Sequence, residues 1–220
     1  GVLDLLYPGY ADASFYHDER GFLAATPHGD LADVVLSDIP VWALRQYGLV
    51  VAAGALTPGA ELRDNMRDYL EQGGHLVLTA ANARHILPEL QIAETPCAIA
   101  APSCVKWADG SEDREQHGLE LHAAQIPESA EIMATLDGQP AVIRYRVGRG
   151  ICTVLLSPFG LNSEALTKGP VKNEVDRPLA CPSLLAAHVR RALDRILDEQ
   201  VLFSVGKELG LITCRKGPGP

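Results

Sequence analysis

The stretch from Tyr47 to Thr79 limits the possible folds more than any other part of the chain. Tyr47-Gly48-Leu49-Val50-Val51-Ala52-Ala53 is an unbroken apolar run of strand length, the pattern of a strand buried on both faces in a parallel sheet. Thr57 can then cap a helix whose first position is Pro58, and Leu62, Met66, Tyr69 and Leu70 recur at helical spacing through Gln72. Gly73-Gly74 ends that helix, because glycine accepts the left-handed conformation common at a helix C-terminus. His75-Leu76-Val77-Leu78-Thr79 follows as a second strand. Parallel neighbours need a crossover, so strand, helix and strand within about 33 residues predict a βαβ unit.

Around that unit the pattern is less regular. Gly1 to Tyr7 and Asp33 to Ser37 read as strands, and Trp42 to Gln46 as a short helical turn. Between the first two strands, Ala11 to Asp30 is polar and aromatic and is broken by Gly21, Pro27 and Gly29, which gives an irregular crossover. Ala141 to Val147 and Ile151 to Ser157 are β-rich runs joined through Gly148-Arg149-Gly150, the signature of a hairpin, here expected at an antiparallel edge. Ser183 to Glu199 sets Leu184, Leu185, His188, Ala192, Leu193 and Ile196 along one helical face. The expectation is an α/β fold: a doubly wound, mostly parallel, flavodoxin-like sheet with helices on both faces and an antiparallel edge hairpin. Residues 1–200 make up this domain, and 201–220 read as the start of a following β domain or as a tail. Gly1 opens directly into a strand with no signal sequence ahead of it, which suggests a chain continuing from something longer.

Composition narrows the partners. Of the 220 residues 47% are hydrophobic and 21% charged, the profile of a soluble globular chain with ample core and no need of metal or disulfides. A net charge of −9 without any Lys/Arg-rich block argues against nucleic acid and anionic membranes. No apolar run approaches the roughly 20 residues that cross a bilayer. Five cysteines show no metal-ligand spacing, and the closeness of Cys97 to Cys104 does not by itself supply disulfide geometry.

Tyr47-Gly48-Leu49-Val50-Val51, Leu70 to Leu78 with its Gly73-Gly74, and Arg146-Val147-Gly148-Arg149-Gly150 before a strand together resemble the class I glutamine amidotransferase-like fold. More narrowly, they are similar to the trimerisation domain of bacterial beta-galactosidases and to related domains of multidomain glycoside hydrolases. In active amidotransferases of this fold the resemblance implies a cysteine on the tight turn after such a strand, where helix-terminal N–H groups lower its pKa. Here Thr79-Ala80-Ala81-Asn82-Ala83-Arg84 occupies that elbow, without a thiol or a Gly-x-Cys-x-Gly pattern. The resemblance therefore implies a non-catalytic accessory or assembly domain, without cofactor. Its partners would be the catalytic domain of the same parent chain or sister subunits, with carbohydrate as the candidate ligand. A glycosidase parent must hold two carboxylates roughly 5–10 Å apart, and no pair in this chain is nominated.

Candidate ligand residues fall in three groups. Tyr16-His17-Asp18-Glu19-Arg20 lies after the first strand, where the carboxyl ends of a parallel sheet form a crevice. His17 and Glu19 could act as acid/base groups or bind sugar hydroxyls, with Tyr16 or Phe15 as a stacking platform and Arg20 beside them. A surface loop whose charges pair with each other explains the same residues. Thr26-Pro27-His28-Gly29-Asp30 is a rigid turn presenting His28 and Asp30, although turn chemistry alone accounts for its Pro and Gly. Asn82, Arg84 and His85 lie in the elbow region and suit a ligand hydroxyl or carboxylate, or equally a partner subunit.

Two further constellations read as structural. Cys152 and His188, with Glu164 or Asp176, invite a Cys/His reading, but Cys152 sits inside a β run where an inert buried thiol is ordinary. Asp109 to Glu115 has a passing similarity to calcium-ligand spacing and reads as a solvated turn, since it lacks the alternation and the terminal bidentate Glu. The alternatives to an accessory domain are a cysteine-dependent hydrolase or amidotransferase using Cys97, Cys104 or Cys152, and a carbohydrate-binding module built around Phe15, Tyr16 and Arg20.

Overall fold

A computed structural model describes residues 35–53, 56, 58–116 and 118–158. The elements expected over Gly1 to Tyr7, Ser183 to Glu199 and Val201 to Pro220 lie outside those residues, as do residues 33 and 34 of the expected second strand. Its described remainder, Val35 to Ser37, is not a strand but part of a turn closed by Ile39 N donating to Leu36 O at 3.1 Å. The expected helical turn is present as α1 (Val41–Leu44).

The βαβ unit forms. Strand β1 (Val50–Ala52) and strand β2 (His75–Thr79) are parallel, with Val50 opposite Leu76 and Ala52 opposite Leu78. Between them α2 (Ala60–Glu71) buries Leu62, Met66, Tyr69 and Leu70, the four residues at helical spacing. It starts later than Pro58: Gly59 is the N-cap and offers no side-chain cap, and Thr57 lies outside the described residues. The helix ends as its glycines require. Gly73 takes φ +109°, and Gly73 N and Gly74 N donate back to Leu70 O and Tyr69 O at 3.0 and 2.9 Å, closing a Schellman motif. The Tyr69 hydroxyl accepts from His75 N at 3.2 Å and donates to Tyr47 O at 3.0 Å, which fixes the helix to both strands. Burial holds this phenol above its ordinary pKa.

After β2 the chain turns directly into α3 (Ala80–Ile86) and a 3-10 turn (Pro88–Leu90). There follow β3 (Cys97–Ile99), β4 (Ser103–Trp107), β5 (Glu112–Glu115), β6 (Leu119–Leu121), β7 (Glu131–Leu136), β8 (Gln139–Val147) and β9 (Gly150–Leu155). One sheet has the order β1-β2-β9-β8-β7-β4-β5, and β3 pairs with β6 in a second, two-stranded sheet.

Two expectations are corrected here. The large sheet is mixed: β1, β2 and β9 run parallel, whereas β9-β8, β8-β7, β7-β4 and β4-β5 are antiparallel. The Gly148-Arg149 hairpin is also central rather than at an edge, with β9 lying between β2 and β8. Strands β4, β5 and β7 extend the sheet beyond it, and their charges, among them Lys106, Glu112, Asp113, Arg114 and Glu131, hide the alternation that would have announced them. The acidic stretch divides in the same way. Asp109 to Ser111 is a turn, in which Asp109 Oδ1 accepts from Ser111 N at 2.9 Å and Oγ at 2.6 Å, whereas Glu112–Glu115 is a strand.

The core has two parts, one on each side of the parallel strands. Leu76, Leu78, Cys152 and Val154 pack with Leu62, Met66, Leu70, Ala83 and Ile86 of the helices. Val77 and Leu155, on the opposite faces of the same strands, pack with Trp107, Leu119, Leu121 and Leu136. All three described helices contribute to the first part, so the described helices cover one face. The hairpin turn docks on the end of α2, where Arg149 N donates to Glu71 O at 3.2 Å and Ile151 N to Gly74 O at 3.0 Å. The glycine-bearing segments Leu70 to Leu78 and Arg146 to Gly150 thus meet in space.

Candidate functional site

The carboxyl ends of β1, β2 and β9 converge where α3 begins, the place where open α/β sheets receive ligands. A strand entering a helix without a loop leaves the first helical N–H groups pointing outward, available to an anion or an activated nucleophile. In this chain the first two of those groups are occupied. Ala80 N donates to Ser157 O at 3.0 Å and Ala81 N to Pro158 O at 3.4 Å, so the chain leaving β9 caps the helix. Thr79 at the strand end is fully buried.

Asn82 is fully buried behind the elbow. Its Nδ2 donates to Ala52 O at 2.9 Å and approaches Thr79 Oγ1 at 3.4 Å, while its Oδ1 accepts from Leu56 N at 3.2 Å. One amide therefore joins the ends of β1 and β2 to the segment that follows β1. Arg84, half-buried on α3, donates through Nη2 to Ala93 O at 2.8 Å and to Glu94 O at 3.4 Å, and its Nε is buried without a partner. His85, its neighbour, is exposed.

The structure adds His122, which the sequence reading did not single out. It follows β6 and is 5% exposed, and its Nδ1 lies 2.7 Å from Ala93 O. A carbonyl can only accept, so Nδ1 carries the proton and Nε2 the lone pair. Desolvation holds the imidazole below the ordinary histidine range, reinforced by Arg84 and opposed by the Ala93 hydrogen bond and Glu120. The signal was present in Leu119-Glu120-Leu121-His122, an alternating run that places a histidine at the end of a strand.

The remaining sequence candidates fall elsewhere. Tyr16, His17, Glu19, Arg20, His28 and Asp30 lie outside the described residues, as does His188. Cys152 is fully buried in β9, opposite Leu76 and Tyr145, and burial drives its thiol well above the usual range. Cys97 on β3 and Cys104 on β4 are free thiols, the first exposed and the second half-buried. Among the described residues no group of three His, Cys, Asp or Glu side chains could hold a metal ion, and no helix is long and apolar enough to cross a membrane.

Part of a solved glycoside hydrolase has a similar fold. Gan42B, a GH42 beta-galactosidase from G. stearothermophilus, matches with a TM-score of 0.51 at 13% identity, over 76% of this chain and 23% of that one. The beta-galactosidase of Bacillus circulans sp. alkalophilus matches with a TM-score of 0.45 at 16% identity, over 71% of this chain and 23% of that one. A ThuA-like protein from Bacteroides uniformis matches with a TM-score of 0.42 at 14% identity, over 61% of this chain and 68% of that one. The chain thus spans about a quarter of the length of these galactosidases. No protein family and no curated protein matches the sequence.

Proposed function

We propose that this chain is a non-catalytic accessory or assembly domain of a larger carbohydrate-active protein of the glycoside hydrolase type, contributing to oligomerisation or to a wall of the sugar site. The observation that carries this reading is the elbow. It presents no thiol, its one hydroxyl, on Thr79, is buried, and the amides of Ala80 and Ala81 are bonded to Ser157 and Pro158 carbonyls. A site of this kind can support a neighbouring group, but its residues offer no attacking thiol and two of its helix-terminal N–H groups are taken, unlike those of an acyl-transfer centre. The fold it shares with one part of a GH42 beta-galactosidase supports the same reading.

In the finer form of this reading the domain is doubly wound, with a helix over Ser183 to Glu199 covering the second face of the sheet. Tyr16, His17, Glu19, Arg20, His28 and Asp30 then complete a carbohydrate-facing crevice around Arg84, while Asn82 holds the elbow beneath it. Exposed Leu36 (74%), before α1, and Trp42 (66%), on α1, are the large apolar groups an assembly contact would cover.

Two measurements test the two halves of the proposal. The purified chain is expected to hydrolyse neither a nitrophenyl galactoside nor glutamine. With iodoacetamide at neutral pH, peptide mapping should find that, among the described cysteines, Cys97 is modified first, Cys104 more slowly, and Cys152 not until the chain unfolds. Turnover abolished by Cys152→Ser, or native-state labelling of Cys152 ahead of Cys97, would falsify the non-catalytic assignment. For assembly, sedimentation at tens of micromolar should give a mass that rises with concentration and falls back in a Leu36→Ser/Trp42→Ser variant. A strictly monomeric parent would remove the oligomerisation half.

A further inference from the structure

Three segments meet at one backbone oxygen. Arg84 Nη2, from α3, and His122 Nδ1, at the end of β6, reach Ala93 O at 2.8 and 2.7 Å and stand 3.4 Å apart. Both nitrogens donate, because the carbonyl has only lone pairs to offer and the Nδ1 proton is directed at it. Backbone bonds complete the junction: Ala93 N to Ala123 O at 2.8 Å, Gln125 N to Leu90 O at 2.8 Å, and His122 N to Leu156 O at 2.7 Å.

The charge around this oxygen is one-sided. Arg84 finds its second acceptor in another neutral carbonyl, Glu94 O, and its Nε is buried without a partner. Among the described residues no carboxylate pairs with it. The charged groups facing the imidazole are Arg84, from α3, and Glu120, from its own strand, while the 91–94 segment contributes the neutral Ala93 carbonyl. A proton added to Nε2 would set a second cation beside the first in a site where His122 is 5% exposed.

We propose that Arg84, Ala93 and His122 form a proton-sensitive latch: protonation at Nε2 leaves the Nδ1–H donor on Ala93 O but makes the ring a buried cation 3.4 Å from Arg84 Nη2, and the repulsion between the two frees the 91–94 segment from α3. The latch is joined through Arg84 to the helix that begins at the elbow, and it acts whether or not the domain is catalytic. The sign follows from the environment. The folded-state pKa is depressed, by burial first and by Arg84 second, so the latch is at full strength above the ordinary histidine value of about 6.5. It weakens as pH falls below that value toward the folded-state pKa.

Hydrogen exchange on the full chain between pH 5 and 7.5, corrected to protection factors, tests the latch. The amides of Ala93 and Gln125 should lose protection by up to about tenfold per pH unit below 6.5, while those of Tyr69 and Leu70 in α2 stay constant. The slope should vanish in His122→Asn, whose amide keeps a donor to Ala93 O but does not titrate, and should shrink in Arg84→Met. A flat profile in the parent, a slope surviving in His122→Asn, or a uniform loss that includes α2 overturns the proposal. Should His122→Asn not fold, the NMR titration of the His122 ring decides: a midpoint at or above the ordinary value rules the latch out.

Discussion

Gly150→Ala is expected to be the most damaging conservative change in the described part of the chain, costing about 4 kcal/mol or more, a loss found only where something in the core must move. A methyl on Gly150 would stand 2.5 Å from Gly74 O and closer still to Leu70 O. Both obstacles are backbone atoms, one in the last turn of α2 and the other in the turn that stops it, so neither can rotate away. Relief requires β9 to back off from the helix end, which breaks the bonds from Arg149 N to Glu71 O and from Ile151 N to Gly74 O. Gly138 supplies the control, since it has φ +83° and open space around its Cβ position. Alanine there meets only the left-handed backbone penalty of about 1 kcal/mol. Thermal unfolding should separate the pair by roughly 10 °C. A Gly150→Ala midpoint within 2 °C of the Gly138→Ala midpoint would show that the hairpin does not bear on α2 as described.

Gly150 also shows what could be read from sequence and what could not. The apolar run before α2, the helical spacing of Leu62, Met66, Tyr69 and Leu70, and the Gly73-Gly74 stop are local signals, and each predicts the structure at its own position. The hairpin through Gly148 and Gly150 is equally local. Nothing in either segment says that the two touch, because the contact lies between a helix end and a turn about 75 residues away, and close approach of backbones leaves no mark beyond the glycines themselves. The order of the sheet is hidden from the sequence for a related reason. Strand β9 pairs with β8 by a two-residue turn, which is legible, and with β2 across a long separation, which is not. Short strands such as Leu119–Leu121, with a charge at their centre, fall below the length at which alternation can be told from chance.

The site divides along the same line. The missing elbow cysteine is a matter of which residue stands at which position, so Thr79 to Arg84 could be assessed directly. The capping of α3 by Ser157 and Pro158 depends on where the chain goes after β9, and the pairing of Arg84 with His122 depends on a carbonyl in a third segment. Residue type announces a missing elbow thiol; only the tertiary path shows that the amides of Ala80 and Ala81 are also occupied. The two facts together weigh more than either alone, since an open set of helix-terminal donors could still serve a water or a substrate group.

Asn82→Ala should cost about 2–4 kcal/mol, or roughly 5–15 °C in thermal midpoint, because it strands a buried backbone oxygen and removes the acceptor of a part-buried backbone N–H. Ala52 O loses its donor at a site where Asn82 has no exposed surface, and Leu56 N, on a residue 37% exposed, loses its acceptor. Asn82→Asp distinguishes the two losses. Its carboxylate can still accept from Leu56 N but cannot donate to Ala52 O, and burial raises its pKa above the unfolded value. For that variant the sign is the reverse of an ordinary surface aspartate: the penalty is largest at neutral pH and shrinks as pH falls toward about 4, where the acid form regains a donor. A ligand-facing asparagine behaves otherwise, losing affinity with little change in midpoint, so an unaltered melting curve for Asn82→Ala would move this residue from the frame of the elbow into the crevice it supports. The expected loss places it in the frame, as the group that makes the ends of β1 and β2 move as one.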